Sequence, residues 1–151
     1  MKDFKLIRFE YSPGYGDMLG ESHSATLKQN SDGSWSVISR DREHHRAPRI
    51  ITTYAVSDET VRSFEEFIEK KKVISLENRP KSDMFATDYS PWSYCIEYSA
   101  TSFGRTENRY CSITEYKRYS GRDYDLMKEM DNRFTALRGD KISEVTEDTE
   151  R

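Results

Sequence analysis

The order of elements written in this chain, β-β-β-β-α-β-β-α, predicts an α+β fold: an antiparallel sheet of about six strands with two helices packed on one face. Three observations carry that prediction. Several short segments alternate apolar and polar residues with period two, two longer segments carry apolar stripes at helical spacing, and the strand-to-strand links are too short for parallel crossovers.

Residues 4–11, FKLIRFEY, read as the first strand. Simple alternation puts Phe4 and Leu6 on one face and Ile7, Phe9 and Tyr11 on the other, so the strand is expected to be central, with apolar groups on both sides. A Ser-Pro-Gly-Tyr-Gly break follows at 12–16. Residues 22–29 form a second strand, and Asn30-Ser31-Asp32-Gly33-Ser34 a tight hairpin into Trp35-Ser36-Val37-Ile38, because Asp-Gly supplies the left-handed position such turns require. Residues 40–49, RDREHHRAPR, read as a polar connection, and 50–56, IITTYAV, as a β-branched strand.

Ser57 then N-caps a helix with Asp58 and Glu59 in its first turn and Lys70, Lys71 and Lys72 at its end, each suited to the helix dipole. Val61, Phe64, Phe67 and Ile68 are its buried stripe. A polar segment, 77–91, leads to Trp92, Tyr94, Ile96 and Tyr98, which alternate with Ser93, Cys95, Glu97 and Ser99. Residues 107–115 return. A hairpin symmetric about Phe103 sets Cys95 opposite Cys111 and Glu97 opposite Arg109, a register favoured by the charge pair. The last helix runs to about Leu137 on a stripe of Leu126, Met130, Phe134 and Leu137, with Gly139 as its stop. Residues 1–138 are thus expected to form a single domain. Residues 139–151 are expected to be an acidic disordered tail, since Ile142 and Val145 are the only aliphatics among its charges.

The composition places limits on function. Of 151 residues, 34 % are hydrophobic, 34 % charged and 13 % aromatic, with mean hydropathy −0.93. The aromatic content argues against disorder and for a thin core built from Tyr and Phe. The net charge of −3 resides in the tail, where Lys141 and Arg151 face five acids; the rest of the chain is neutral. A body without basic surplus is not the usual electrostatic footprint of a nucleic-acid binder. The opening residues, MKDFKLIRFE, show no apolar signal core, and no run is long enough to span a bilayer, so the expected location is cytoplasmic, with secretion only if a signal has been removed, and no membrane partner.

The pattern resembles that of short uncharacterised proteins of gut Firmicutes. The residues that carry the resemblance are Tyr11, Ser12, Gly14 and Gly16 after the first strand, the Asp32-Gly33 hairpin, the helix after it, Asp88, and the Trp-led strand from Trp92 to Tyr98; it covers roughly residues 4–137. It implies a bacterial origin and the same element order, and no activity.

No catalytic, cofactor-binding or metal-ligating set emerges. Cys95 and Cys111 sit mid-strand without a motif, where Cys usually packs as a small hydrophobe. His44 and His45 are adjacent, so on an extended segment they point apart, and with His23 and Glu43 they show no ligand spacing. Gly14 to Gly20 lacks the third glycine and the Lys-Ser/Thr of a phosphate cradle. Two clusters remain as interaction candidates. One is the Arg40–Arg49 segment with Arg42, His44, His45 and Arg46, suited to anions through charge-assisted bonds. The other is the aromatic set of Trp92, Tyr94, Tyr98 and Tyr110, residue types enriched at interface cores. The first expectation is therefore a small non-catalytic domain that binds protein, a second copy or another chain, through a Tyr-rich sheet face. A mobile-element inhibitor or accessory protein acting on a nucleic-acid enzyme through the Arg40–Arg49 segment, with nucleic acid as a lesser partner class, is the second; a hydrolase without a recognisable motif is the third.

Overall fold

The computed structural model describes residues 2–12, 22–43, 46–78, 93–114 and 121–147. Strands β1 (Lys2–Ser12), β2 (Ser22–Gln29), β3 (Trp35–Arg42) and β4 (Arg49–Val56) precede helix α1 (Asp58–Lys70) and a 3-10 segment, Val73–Asn78. Strands β5 (Ser93–Ser102) and β6 (Arg105–Thr114), helix α2 (Gly121–Thr135) and strand β7 (Lys141–Glu147) follow among the described residues. All strands join one antiparallel sheet of seven in the order β6-β5-β1-β2-β3-β4-β7. The α+β class is as expected; the sheet has one strand more.

Helix α1 forms as its sequence dictates. The Ser57 side chain accepts from the Thr60 backbone N–H at 3.2 Å, and Val61, Phe64, Phe67 and Ile68 are buried. α2 buries Met127, Met130 and Phe134. Both helices pack on the sheet face that carries Phe9, whose ring lies 4.9 Å from Phe64 and 4.8 Å from Phe134. Tyr94 closes this aromatic cluster at 5.3 Å from Phe9. These rings, in edge-to-face and tilted contact, pack among the buried aliphatics Leu27, Val37, Ile68, Leu76, Ile96 and Ile113 in one core.

Phe9 reaches that cluster through a β-bulge. The register of β1 against β5 shifts between Leu6 and Arg8: Leu6 faces Tyr98, whereas Phe9 faces Ile96. The extra residue at Ile7 switches the phase of alternation, so Phe4, Leu6 and Phe9 are all buried on the helix side. The apolar content of β1 thus serves one face, not two as simple alternation implied. Helix α1 pins the bulge, because Glu65 Oε2 accepts the Leu6 backbone N–H at 2.8 Å.

Two turns set the hairpins. Between β2 and β3 Gly33 takes φ 92°, its N–H donates to the Asn30 carbonyl, and Asp32 Oδ1 accepts from the backbone N–H of Ser34, as the Asp-Gly signal predicts. Between β5 and β6 the turn is the pair Phe103-Gly104, with φ 51° and 76°. Positive φ at both central residues is the type I′ geometry, whose twist matches paired strands. A two-residue turn is centred between Phe103 and Gly104 rather than on Phe103, so the register slips by one residue from the symmetric expectation. Cys95 faces Ser112, Ile96 faces Cys111 and Glu97 faces Tyr110. Facing residues share a side of the sheet, so Cys111 enters the core and Cys95 stays on the opposite, exposed side.

The segment expected to be a disordered tail supplies the seventh strand. β7 pairs with β4 from Arg49↔Glu147 to Thr53↔Ser143, although every residue from Lys141 to Glu147 is exposed. Backbone pairing to a β-branched edge holds it, with no apolar burial to betray it in sequence. Its entry is tight: Gly139 N–H donates to the Ala55 carbonyl at 2.9 Å, the Ala55 N–H donates back to Asp140 at 2.8 Å, and Arg138 lies over the Tyr54 ring. The domain therefore extends beyond residue 138 to Glu147. Gly139 serves this close approach rather than the helix stop expected of it, α2 having ended at Thr135.

Candidate interaction surface

The β5–β6 hairpin has an outer edge that the described residues leave open from Arg105 to Cys111. Next to a two-residue turn, Ser102 and Arg105 exchange backbone hydrogen bonds, and the alternation of an antiparallel ladder then turns the N–H and C=O groups of Thr106, Asn108, Tyr110 and Ser112 away from β5. Ser112 shows this directly, because its N–H donates at 2.6 Å to Glu77 Oε2, which reaches over from the 3-10 segment. From Arg105 to Cys111, β6 has no strand on its outer side among the described residues.

The side chains of this edge alternate as well. Arg105, Glu107 and Arg109 lie on the helix side, with Arg109 Nη2 3.7 Å from Glu107 Oε2. Thr106, Asn108 and Tyr110 lie on the other; the Tyr110 ring is 67 % exposed and its hydroxyl donates to Glu97 Oε2 at 3.4 Å. At the tip, Phe103 is fully exposed while its backbone sits in the left-handed region, an uncommon position for a bulky side chain. β7 forms the other edge of the sheet, with Ile142 and Val145 exposed.

No described helix or strand covers the sheet face opposite the helices. It is polar over β1 and β2: Glu10 Oε2 accepts from Thr26 Oγ1 at 3.1 Å and pairs with Arg8 at 3.0 Å. The pair of His23 Nδ1 and Asp41 Oδ1, 2.8 Å apart, lies on the helix side instead, in phase with Leu27 and Val37.

The sequence-predicted site residues scatter. Tyr94 and Tyr98 are core residues: Tyr94 is fully buried, its hydroxyl donating to the Asp131 carboxylate, and Tyr98 stacks on Phe4 at 5.0 Å. Among the described residues β5 and β6 therefore carry no Tyr-rich outer face: of that set Tyr110 alone is exposed, and Trp92 lies outside them. Period-two alternation had already placed Tyr94 and Tyr98 on one face with Ile96; it could not say that this face meets the helices. The Arg40–Arg49 segment is not one loop. Arg40 and Arg42 belong to β3 and Arg49 to β4, all on the polar sheet face, where Arg49 stands 4.0 Å from Glu147. Arg42 is half-buried, its Nε enclosed without a hydrogen bond among the described residues, and Arg46 is exposed in the turn. His44 and His45 lie outside the described residues. Phe103 and the β6 edge were missed; the Phe-Gly dipeptide between two strands was the signal for a two-residue turn.

The described titratable groups assemble no reacting centre. Burial, reinforced by Glu77 and then Cys95, pushes the Cys111 thiol up to about 12, and burial with Glu10 raises Cys95, so both stay protonated thiols at neutral pH. Burial and the Asp131 carboxylate raise Tyr11 to about 12. A cleft of about 340 Å³ between α1 and α2 is lined by Glu59, Thr60, Ser63, Phe64, Arg133, Ala136 and Leu137, a single carboxylate among them. Among the described residues no group of three His, Cys, Asp or Glu is placed to hold a metal, and no helix is long and apolar enough to cross a membrane.

No family model matches the chain, and no curated protein or solved structure matches it either.

Proposed function

We propose that this chain is a small non-catalytic binding domain that recruits a protein by strand addition to β6, with the exposed Phe103 and Tyr110 as its side-chain contacts. One observation carries the reading: the outward backbone groups of Thr106, Asn108 and Tyr110 have no partner strand among the described residues, beside a fully exposed phenyl ring held in a left-handed turn. Open edges template pairing with another chain, and natural sheets ordinarily cover or shorten them. Strand addition gives affinity through main-chain hydrogen bonds and specificity through alternate side chains. Exposed aromatics at such a site act as anchors.

The test is Asn108→Pro. The Asn108 N–H points outward, so proline there removes a donor from the edge without removing a bond to β5, a setting in which a strand tolerates it. Binding measured with purified protein should be lost with Asn108→Pro and weakened by about 10-fold or more with Phe103→Ala, with unchanged circular dichroism for both. Binding that survives both changes refutes the strand-addition reading.

A further inference from the structure

We infer that the occupant of the β6 edge is a second copy of this chain, paired antiparallel about a two-fold axis through Asn108 to join two sheets into one. This rests on the reading of the β6 edge as the binding surface and names its partner.

The register follows from two boundaries and two charges. The open stretch ends at the Phe103-Gly104 turn on one side and at Ser112, whose N–H Glu77 already occupies, on the other. Arg105 to Cys111 is what remains, and its midpoint is Asn108. Edge pairing requires the outward-facing residues, Thr106, Asn108 and Tyr110, to meet one another. A two-fold axis at Asn108 does this: Asn108 meets Asn108 of the second copy and Thr106 meets Tyr110, giving about six backbone hydrogen bonds. In the same register Glu107 faces Arg109 of the second copy on the helix side, twice by symmetry, in the closely spaced non-hydrogen-bonded position where side chains interact most.

Neighbouring registers are penalised. A two-fold axis at Glu107 sets Glu107 against Glu107, and one at Arg109 sets Arg109 against Arg109; like charges directly opposite are destabilising. An axis at Thr106 leaves only Arg105 to Glu107 overlapping before the turn, and one at Tyr110 drives Asn108 onto Ser112 and its Glu77 cap. Charges on an edge strand ordinarily deter pairing between copies. Here the Glu107–Arg109 alternation, already 3.7 Å apart within one chain, is self-complementary in a single register and repulsive in the two adjacent to it. That makes the interface isologous and closed, a dimer rather than a filament.

Sedimentation velocity across a dilution series tests the pairing. The unaltered protein should sediment as a concentration-dependent dimer. Glu107→Arg sets arginine against arginine at both facing pairs, and Arg109→Glu sets glutamate against glutamate; each alone should weaken association by about 10-fold or more. An equimolar mixture of the two variants makes every facing pair opposite in charge and should restore the dimer, as should the double exchange Glu107→Arg with Arg109→Glu. Asn108→Pro should be monomeric with unchanged circular dichroism. A dimer indifferent to the charge changes and to Asn108→Pro overturns the inference. A monomeric wild type whose binding to another protein is lost in Asn108→Pro overturns the self-pairing while the strand-addition reading stands. A monomeric wild type whose binding ignores Asn108→Pro overturns both.

Discussion

Replacing Phe103 by Asn should make the protein more stable, although it deletes an aromatic ring. Phe103 is the first central residue of a type I′ turn at φ 51°, and it is fully exposed. The left-handed backbone costs a non-glycine L-residue roughly 1–2 kcal/mol, whereas Asn followed by Gly is the preferred pair for this turn. Deleting the ring forfeits no burial. The net expectation for Phe103→Asn is a gain of about 1 kcal/mol, which for a chain of this size raises Tm by about 2–4 °C. Phe103→Gly should gain less, because glycine's extra freedom in the unfolded chain takes back about 0.5–1 kcal/mol. Urea unfolding of the three proteins, in dilute solution so that association does not contribute, should rank the midpoints Asn above Gly, and Gly above or level with Phe. A midpoint for Phe103→Asn at or below that of the parent refutes the reasoning: either the ring is held by contacts in the fold, or the turn is not type I′. A stabilised variant that binds less well shows what the strained Phe is kept for, since strain of this kind persists where function requires it.

Three further outcomes follow from the packing. Gly139→Ala places a Cβ 2.5 Å from the Ala55 carbonyl oxygen, a backbone atom that cannot step aside, so β7 should detach at a local cost of about 1–3 kcal/mol; limited proteolysis should cut within 141–147 sooner while the core melts at nearly its former temperature, and an unchanged cleavage rate contradicts this. Glu65→Ala removes the acceptor of the Leu6 N–H in the β1 bulge and should cost about 1–3 kcal/mol with faster hydrogen exchange at Leu6, whereas Glu65→Gln keeps an oxygen and should lose less; equal losses would mean the carboxylate acts by charge and not as an acceptor. Burial raises the Cys111 thiol from 9.0 to about 12, so between those values the unfolded chain releases a proton that the native one keeps, and stability should fall as pH rises through that window by up to about 1.4 kcal/mol per unit. Urea midpoints from pH 9 to 11 should show a shallower decline for Cys111→Val, a core-compatible residue that cannot titrate, than for the parent.

Where local chemistry decided the structure, it could be read in advance. Ser57 followed by Asp58 and Glu59, with Val61, Phe64, Phe67 and Ile68 at helical spacing, specifies α1 whatever it packs on, because cap, dipole and stripe are all contained within one segment. The same holds for the Asp32-Gly33 turn and for the alternation of Tyr94, Ile96 and Tyr98 in β5. The candidate binding surface was legible only in part. Tyr110 was singled out and is exposed, but Tyr94 and Tyr98 share with it only residue type, and whether a Tyr face meets helices or water depends on elements distant in sequence.

Four features needed the tertiary structure. The bulge at Ile7 exists because Phe9 has a place among Phe64, Tyr94 and Phe134 and because Glu65 of α1 satisfies the Leu6 N–H; neither partner is near it in the chain. The β5–β6 register depends on whether one or two residues carry positive φ, a difference of a single residue that moves Cys111 from outside to core. β7 has no buried residue, so no pattern of apolar side chains announces it; the unpaired edge of β4, reached through Gly139, draws it into the sheet. The open edge at β6 is a property of the sheet order, which follows from how β1 inserts between β5 and β2. Short-range torsional and periodic preferences act within a few residues and are written in the sequence; sheet order, bulges and edges are set by which distant surfaces are left to satisfy one another's hydrogen bonds, and only the assembled fold determines that.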